Sequence, residues 1–222
     1  MPKRLTPLVS GEIYHAFNQS IDHHPLFVGK RECQRAIDCT KFYQLLVPMK
    51  FSSFLVMSKE KRESIIRQKN IKKLVDLSAY CLMPNHFHFL LKQLADNGIS
   101  KFMSNFQNSF TRYYNTKNER RGSIFVGQFK AVRIETEEQL LHISRYIHLN
   151  PYTSFVVKDL KNLKDYKWSS FPEYVTLNGA GVCNKEIILS LFKDGHSYLN
   201  FVFDQADYQR ELNKIKHLFI EK

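Results

Sequence analysis

Two apolar segments joined by a Pro-Asn turn constrain the fold of this chain more than any other feature of its sequence. Residues 74–83 form an apolar run typical of a strand, and residues 86–92 alternate between two faces after Pro84-Asn85. The pattern predicts an antiparallel β-hairpin.

Strand-like and helix-like segments alternate around this hairpin. Further strands are predicted at residues 13–18, 50–58 and 124–134. Helices are predicted at residues 30–46, 59–73, 99–115, 136–150, 185–192 and 207–220. We expect Thr136 to cap the helix over 136–150 and Pro151 to end it. The interleaving of hairpin and helices favours an α+β fold with an antiparallel sheet, not a doubly wound parallel one.

The charge balance indicates the kind of partner. Lys and Arg outnumber Asp and Glu by 33 to 21 in a chain of 222 residues, a formal net charge of +12. Such a surplus favours polyanionic partners, chiefly nucleic acid, although a merely soluble basic protein stays open on charge alone.

The cysteines and the apolar segments suggest a compartment. Cys33, Cys39, Cys81 and Cys183 form no C-x-x-C pair, which favours free thiols in a reducing environment over a zinc ribbon or a disulfide framework. The N-terminus has no apolar segment long enough for a signal peptide, and no stretch approaches the ~20 apolar residues of a membrane span. We therefore expect a cytoplasmic protein with no membrane partner.

A His-x-His pair lies directly after the predicted turn. Residues two apart on a strand share one face, so His86 and His88 face one side while Phe87 and Phe89 face the other. The phenylalanines can then enter the core, and the two imidazoles can bind one cation. Taken alone, such a pair is more often a satisfied structural feature than a metal site.

A second group of polar residues follows on the helix predicted over 136–150. Tyr146 and Asn150 are four residues apart and therefore lie on one side of that helix, beside its apolar stripe. A tyrosine in such a place is usually amphipathic packing. Considered with the histidines, however, two imidazoles and an amide oxygen could hold a divalent ion, and a phenol one turn away could reach the same phosphate. That pairing fits phosphodiester transesterification.

The segments MPNHFHFLLK and RYIHLNP resemble the two signature segments of HUH single-strand DNA transposases of the single-tyrosine class, and in particular their REP-associated tyrosine transposase branch. The segments GEIYHAFNQSIDHHPLF, SIFVGQFKAVRIE and YKWSSFPEY resemble that branch in the same order, so the similarity covers roughly residues 11–175.

The resemblance implies a ferredoxin-like fold, with a catalytic domain over residues 1–155 and a mostly helical C-terminal extension over 156–222. It implies that His86, His88 and Asn150 bind Mg²⁺ or Mn²⁺ and that Tyr146 is the nucleophile. The family cuts single-stranded DNA beside a folded hairpin and leaves a 5′-phosphotyrosine with a free 3′-OH, which can later rejoin strands. Some members exchange the tyrosine helix between two subunits and others act as monomers, so the oligomeric state stays open.

Basic residues around the predicted strand at 124–134 are candidates for contacts with DNA phosphates. They are Arg112, Lys117, Arg120, Arg121, Lys130 and Arg133. We expect exposed aromatic rings such as Tyr114 or Phe125 to stack on unpaired bases. His148, an extra titratable group within YIHLN, is expected to face solvent on the far side of its helix.

Two other functions compete with a transposase. One is a catalytically silent, domesticated protein of the same fold that binds hairpin DNA. The other is a His-x-His metallohydrolase, which would need further His or Asp ligands that the sequence does not supply in an obvious set. An RNA-recognition strand of the form K/R-G-F/Y-G/A-F-V-x-F/Y is absent from the sequence.

Overall fold

The structure, a computed structural model, describes residues 7–68, 70–176 and 181–212. Four strands form one antiparallel sheet in the order β2-β3-β1-β4. The strands are β1 (Ile13–Gln19), β2 (Val75–Met83), β3 (His86–Gln93) and β4 (Lys130–Ile134). The predicted hairpin is confirmed as β2 and β3.

Helices connect the strands in a β-α-β-β-α-β order. Helix α1 (Lys30–Tyr43) follows β1, the short helices α2 (Phe51–Leu55) and α3 (Lys59–Arg67) precede β2, and α4 (Gly98–Lys117) links β3 to β4. With the hairpin at one side and β1 between β3 and β4, this is the ferredoxin-like arrangement. The predicted α+β, ferredoxin-like fold is confirmed.

Alternation along β3 builds a core on the first face of the sheet. Phe87 and Phe89 are fully buried there, and the ring of Phe106 on α4 lies 5.0 Å and 5.1 Å from theirs, centroid to centroid. Burying a side chain of this size is worth roughly 1.5–3 kcal/mol. These contacts fix the sheet against α1 and α4, and they turn His86 and His88 to the opposite face.

A second core covers that opposite face. Helix α5 (Glu137–Thr153) lies on it, and Leu140 and Ile147 pack against Ala79 and Leu90 of the sheet. The later helices complete this core: α6 (Phe171–Val175), α7 (Glu186–Leu189) and α8 (Gly195–Asp204), with a 3₁₀ helix at Leu160–Asp165. Residues after 155 therefore share a core with α5, and the domain boundary at 155 stays a prediction.

The strand predicted at 50–58 is wrong, because these residues form α2. Phe51 and Phe54 are three residues apart, so one face of a helix buries both rings against Phe42. The helix predicted over 30–46 ends at Tyr43, and the one predicted over 59–73 ends at Arg67. The residues that follow them meet in a β-bridge between Leu45 and Lys73.

The strand predicted at 124–134 is only partly present. Gly127 has a positive φ of 41°, which interrupts the extended chain, so continuous pairing begins at Lys130. Before the glycine, Phe125 forms an isolated bridge with Ser20.

Helix α5 begins as predicted but ends later. The Thr136 side chain accepts a hydrogen bond from the backbone of Gln139 at 3.1 Å, which confirms the cap. The helix continues past Asn150 to Thr153, so Pro151 does not end it. A proline in the last turn removes only one hydrogen bond from the helix.

The C-terminal prediction is tested only in part. A helix at Glu186–Leu189 lies within the predicted 185–192, and residues 206–212 are helical. The remainder of the helix predicted at 207–220 lies outside the described residues. Among the helices that the structure describes, none is long and apolar enough to cross a membrane.

Candidate active site

The predicted site residues meet where β3 faces α5. His86 and His88 lie on the same face of β3, and their ring centroids are 5.0 Å apart with nearly perpendicular planes. Asn150 is buried on α5, and its Nδ2 lies 3.2 Å from Nε2 of His88. The Tyr146 ring lies 5.4 Å from the His88 ring in a T-shaped contact. The packing of α5 on the sheet thus brings His86 and His88 next to Tyr146 and Asn150, which follow about 60 positions later in the sequence.

The Nδ1 atom of each histidine has its own partner. Nδ1 of His86 lies 2.7 Å from Oδ1 of Asn85, and Nδ1 of His88 lies 2.9 Å from Nε2 of His15. Second partners of this kind orient imidazoles in metal sites. His15 was not identified from the sequence, because its approach to His88 depends on the register of β1 against β3.

Burial keeps the imidazoles neutral. It lowers the pKa of His15 to about 4. It also lowers the pKa of His86, although Asn150 partly opposes this effect. Burial lowers the pKa of His88 as well, and the neighbouring His86 and His15 lower it further. A neutral imidazole has a lone pair for a cation, so low pKa values favour metal binding at neutral pH.

Burial also keeps Tyr146 protonated in the free protein. It raises the pKa of the phenol, and a hydrogen bond with Asn150 partly opposes the effect. A phenol is a weak nucleophile until it loses its proton, so a nearby positive charge would be needed to activate it.

A cleft of about 450 Å³ opens over these residues. Besides the two histidines, Tyr146 and Asn150, it is lined by His23, Gln128 and Lys130, and no carboxylate is among the described residues that line it. The charge of a divalent ion bound here would not be neutralised by a carboxylate of these residues, so the ion could attract an anionic ligand such as phosphate.

The donor set fits such an ion. Because the Nδ1 atoms are occupied, each imidazole presents Nε2, and Asn150 can supply an amide oxygen if its side chain rotates away from Ser154, whose hydroxyl now donates to that oxygen at 3.3 Å. In the described part of the chain, no group of three or more His, Cys, Asp or Glu side chains forms a metal site. A divalent ion held by His86 and His88 would therefore need Asn150 as its third donor.

The predicted phosphate-binding residues lie in different surroundings. Lys130 lines the cleft, and Arg120 lines a second cleft of about 470 Å³ beside His24. Arg112 and Arg121 are exposed. The remaining two, Lys117 and Arg133, form ion pairs with Glu32 and Glu12.

The expectation of exposed aromatic rings is wrong for both residues named. Tyr114 is 8% exposed and its hydroxyl lies 2.8 Å from Nε2 of His24, while Phe125 is 3% exposed and packs on Phe27 and Phe87. Both rings belong to the first core, because α4 and the chain before β4 close over it.

The expectation that His148 faces solvent is also wrong. It is fully buried, with Nδ1 2.6 Å from the Tyr198 hydroxyl and Nε2 2.7 Å from the Ser170 hydroxyl. Segments that follow α5 cover the side of the helix that would otherwise be exposed to solvent. Burial lowers the pKa of His148 to about 3.

This buried histidine predicts a loss of stability in acid. The unfolded chain binds a proton near pH 6.5 and the folded chain only near pH 3, so the contribution is complete above about pH 6.5 and is lost as the pH falls towards 3. Between pH 7 and pH 5 the loss is about 2 kcal/mol. We expect the free energy of unfolding, measured in urea with EDTA present, to fall by about 2 kcal/mol less between pH 7 and pH 5 in His148→Gln than in the native protein. His196→Gln, at an exposed position, should leave the full pH dependence, and identical pH profiles for both variants would contradict the assignment.

Comparison with known proteins identifies a family and solved structures to which this chain is similar. Residues 44–150 match the family described as "Transposase IS200 like". The structure is similar to that of a REP-associated tyrosine transposase bound to a REP hairpin, with a TM-score of 0.55 and 16% identity over 83% of this chain and 94% of the other. It is less similar to a candidate transposase from Deinococcus radiodurans R1, with a TM-score of 0.37 and 14% identity over 66% of this chain and 95% of that one. No curated protein matches the chain.

The family match contains β2, β3, α4, β4 and most of α5, and therefore all four residues of the candidate site. It supports a transposase-type function on DNA. The resemblance to single-tyrosine transposases that the sequence predicted is thus confirmed: this chain is similar to IS200-like transposases in sequence over residues 44–150 and to a REP-associated tyrosine transposase in fold.

Proposed function

We propose that this protein is a metal-dependent, single-strand DNA transposase or nickase-ligase that acts through a 5′-phosphotyrosine intermediate. The observation that carries the proposal is the approach of Asn150 to His88, at 3.2 Å, with Tyr146 one helical turn before Asn150 in the same cleft. A solely structural histidine pair would not need a nucleophile and a third donor at the same place.

In this proposal, His86, His88 and Asn150 would hold Mg²⁺ or Mn²⁺. Such an ion, when bound, would supply positive charge at the scissile phosphate, which makes phosphorus more electrophilic. The imidazole donors favour Mn²⁺ over Mg²⁺.

The protein's own groups position and activate the tyrosine. Tyr146 keeps its proton in the buried site until DNA binds, and Asn150 partly offsets the effect of burial by lowering the pKa of the phenol. Lys130, at the side of the cleft, neutralises a phosphate oxygen. The phenol of Tyr146 gives up its proton to solvent and its oxygen bonds to phosphorus as the bond from phosphorus to the 3′ oxygen breaks, and the 3′ oxygen takes up a proton from solvent to become the free 3′-OH. Since the phosphodiester energy is kept in the tyrosine linkage, the reverse attack needs no ATP.

We further propose single-stranded DNA with a hairpin as the substrate. The net charge of +12 and the exposed Arg112, Arg120 and Arg121 supply sites for phosphate. A similar structure was determined with a REP hairpin bound. The cytoplasmic location stays a prediction.

The proposal is tested by trapping the covalent intermediate. The full chain is incubated with a set of hairpin-bearing oligonucleotides that have random single-stranded flanks and a label at the 3′ end. With Mn²⁺ we expect a labelled protein band on a denaturing gel, and with excess EDTA none. Peptide mapping should place the DNA on α5. Tight DNA binding without any adduct would instead favour the catalytically silent protein of the same fold.

Binding should depend on DNA structure and on salt. We expect a hairpin with single-stranded flanks to bind more tightly than a blunt duplex of the same sequence, with affinity that falls steeply as salt rises. Arg121→Ala should lower the slope of log K against log salt by about 0.7–0.9, the share of one phosphate contact. Lys59→Ala, on α3, is the control and should leave the slope unchanged. Equal affinity for blunt duplex at several salt concentrations would contradict this prediction.

A further inference from the structure

We infer that His15 is a positioning residue of the candidate metal site: it accepts a hydrogen bond from Nδ1 of His88 and so holds Nε2 of His88 ready for a cation. The inference rests on the proposed function only for the identity of the ligand as a divalent metal. His15 lies on β1, outside both signature segments. The nearest residue of the site in the sequence, His86, follows 71 positions later.

The sheet register places His15 behind His88. Within β1, Phe17 pairs with His88 and His15 pairs with Leu90, so His15 reaches His88 diagonally on the same face of the sheet. Nε2 of His15 lies 2.9 Å from Nδ1 of His88, and the ring centroids are 5.1 Å apart in a stacked arrangement. Each imidazole is only 5% exposed, so water cannot readily replace this contact.

Two neutral imidazoles can share a hydrogen bond only if one donates and the other accepts. If His15 donated, Nδ1 of His88 would be the acceptor and Nε2 would carry the hydrogen. That hydrogen would meet the Asn150 amide nitrogen, itself a donor, at 3.2 Å, and Nε2 would have no lone pair for a metal. If His88 donates, Nε2 accepts from Asn150 in the free protein and binds a cation when the amide turns. The contacts on both sides of the ring favour the second arrangement.

The neighbouring ligand shows the same arrangement. Nδ1 of His86 lies 2.7 Å from Oδ1 of Asn85, and a carbonyl oxygen can only accept, so His86 also carries its hydrogen on Nδ1. Asn85 lies next to His86 in the sequence, whereas β3 provides no comparable neighbour for His88. His15 supplies that acceptor from the adjacent strand, and both ligands then present Nε2.

His15 is not itself a candidate ligand in this arrangement. Its Nε2 is already bonded to His88, and its ring stacks on Phe17 with the centroids 4.9 Å apart. Its effect on a metal is therefore indirect, as is usual for residues that orient metal-binding histidines.

The first measurement reads the hydrogen position directly in the native, full-length protein. Long-range ¹H–¹⁵N spectra of protein labelled at its nine histidines, recorded in EDTA, distinguish the two tautomers, and His88→Gln identifies the His88 signals. We expect His88 to carry its hydrogen on Nδ1. A hydrogen on Nε2 would overturn the inference.

The second measurement is Mn²⁺ affinity without DNA, by calorimetry. His15→Phe keeps the ring and its packing but cannot accept a hydrogen bond, and we expect it to weaken Mn²⁺ binding about 10- to 100-fold. His15→Gln, which places an amide oxygen near the former Nε2, should restore affinity to within about threefold. Phe17→Leu is the matched control, because it changes packing beside His88 and leaves the hydrogen bond, and it should bind Mn²⁺ like the native protein.

Mn²⁺ affinity in folded His15→Phe equal to that of the native protein would overturn the inference. If this variant does not fold, the tautomer of native His88 decides the question. A native protein that has the expected tautomer and binds Mn²⁺, yet forms no DNA adduct, would overturn the proposed function and support the role of His15. A native protein that does not bind Mn²⁺ would overturn both.

Discussion

Tyr146→Phe should abolish the covalent DNA adduct and strand transfer together, with a loss of more than roughly 1,000-fold, as expected when a nucleophile is removed. The substitution deletes one oxygen and hardly changes the volume of the side chain. The phenol of Tyr146 is only partly buried, so the loss of folding stability should be no more than about 1 kcal/mol. DNA binding should be retained, because affinity comes mainly from phosphate contacts elsewhere.

The matched control is Tyr113→Phe. Tyr113 is a partly buried tyrosine on α4 whose hydroxyl donates to Glu32 at 3.4 Å, so its substitution removes one phenol oxygen and one weak hydrogen bond. This variant should form the adduct at the native rate. An adduct that persists in Tyr146→Phe, or DNA mapped to Tyr113 or Tyr114, would show that the nucleophile has been assigned wrongly even if the reaction class is right.

The part of the site that could be predicted is the part encoded by local periodicity. The two-residue alternation of β3 correctly turned His86 and His88 away from Phe87 and Phe89. The four-residue spacing on α5 placed Tyr146 and Asn150 on one side of a helix. What joined the two segments was the family resemblance, because spacing within a segment carries no information about which elements meet.

The parts that were missed depend on contacts between distant segments. His15 contributes to the site only through the register of β1 against β3, which no property of residues 13–18 fixes by itself. His148 looked exposed because its partners Tyr198 and Ser170 follow 50 and 22 residues later and enclose a side of α5 that would face water in the isolated helix. Tyr114 and Phe125 were assigned to the surface for the same reason.

The wrong strand at 50–58 has a more local cause. Phe51 and Phe54 fit either a short apolar strand or one turn of a helix, and a run of this length cannot distinguish the two by periodicity. Packing against Phe42 on α1 favours the helix, because helical spacing places both rings near Phe42, with centroid distances of 5.1 Å and 5.0 Å. Tertiary packing thus overrides a local preference that was weak in either direction.

Removal of a metal donor should separate cleavage from DNA binding, and His86→Ala is the cleanest substitution for the test. His86 is only partly buried, whereas His88 lies between His15 and Asn150 and its removal would leave a cavity. We expect cleavage by His86→Ala to fall more than about 100-fold, and Mn²⁺ affinity to fall with it. Hairpin binding in EDTA should match that of the native protein. Full cleavage activity in excess EDTA would contradict the role of a metal altogether.

Asn150→Ala should behave differently from His86→Ala, because it removes the weakest of the three donors and leaves both imidazoles in place. Metal binding should weaken and cleavage should slow, and raising Mn²⁺ should restore part of the rate, since occupancy then recovers by mass action. The rate should stay below that of the native protein at saturation, because Asn150 also lowers the pKa of the Tyr146 phenol. Ser154→Ala is the control: it removes the hydroxyl that donates to the Asn150 amide at 3.3 Å but no donor to the metal. Recovery of the full native rate by Asn150→Ala at high Mn²⁺ would limit this residue to metal binding. No recovery at any Mn²⁺ concentration would show that its effect on the Tyr146 phenol matters more than its amide oxygen.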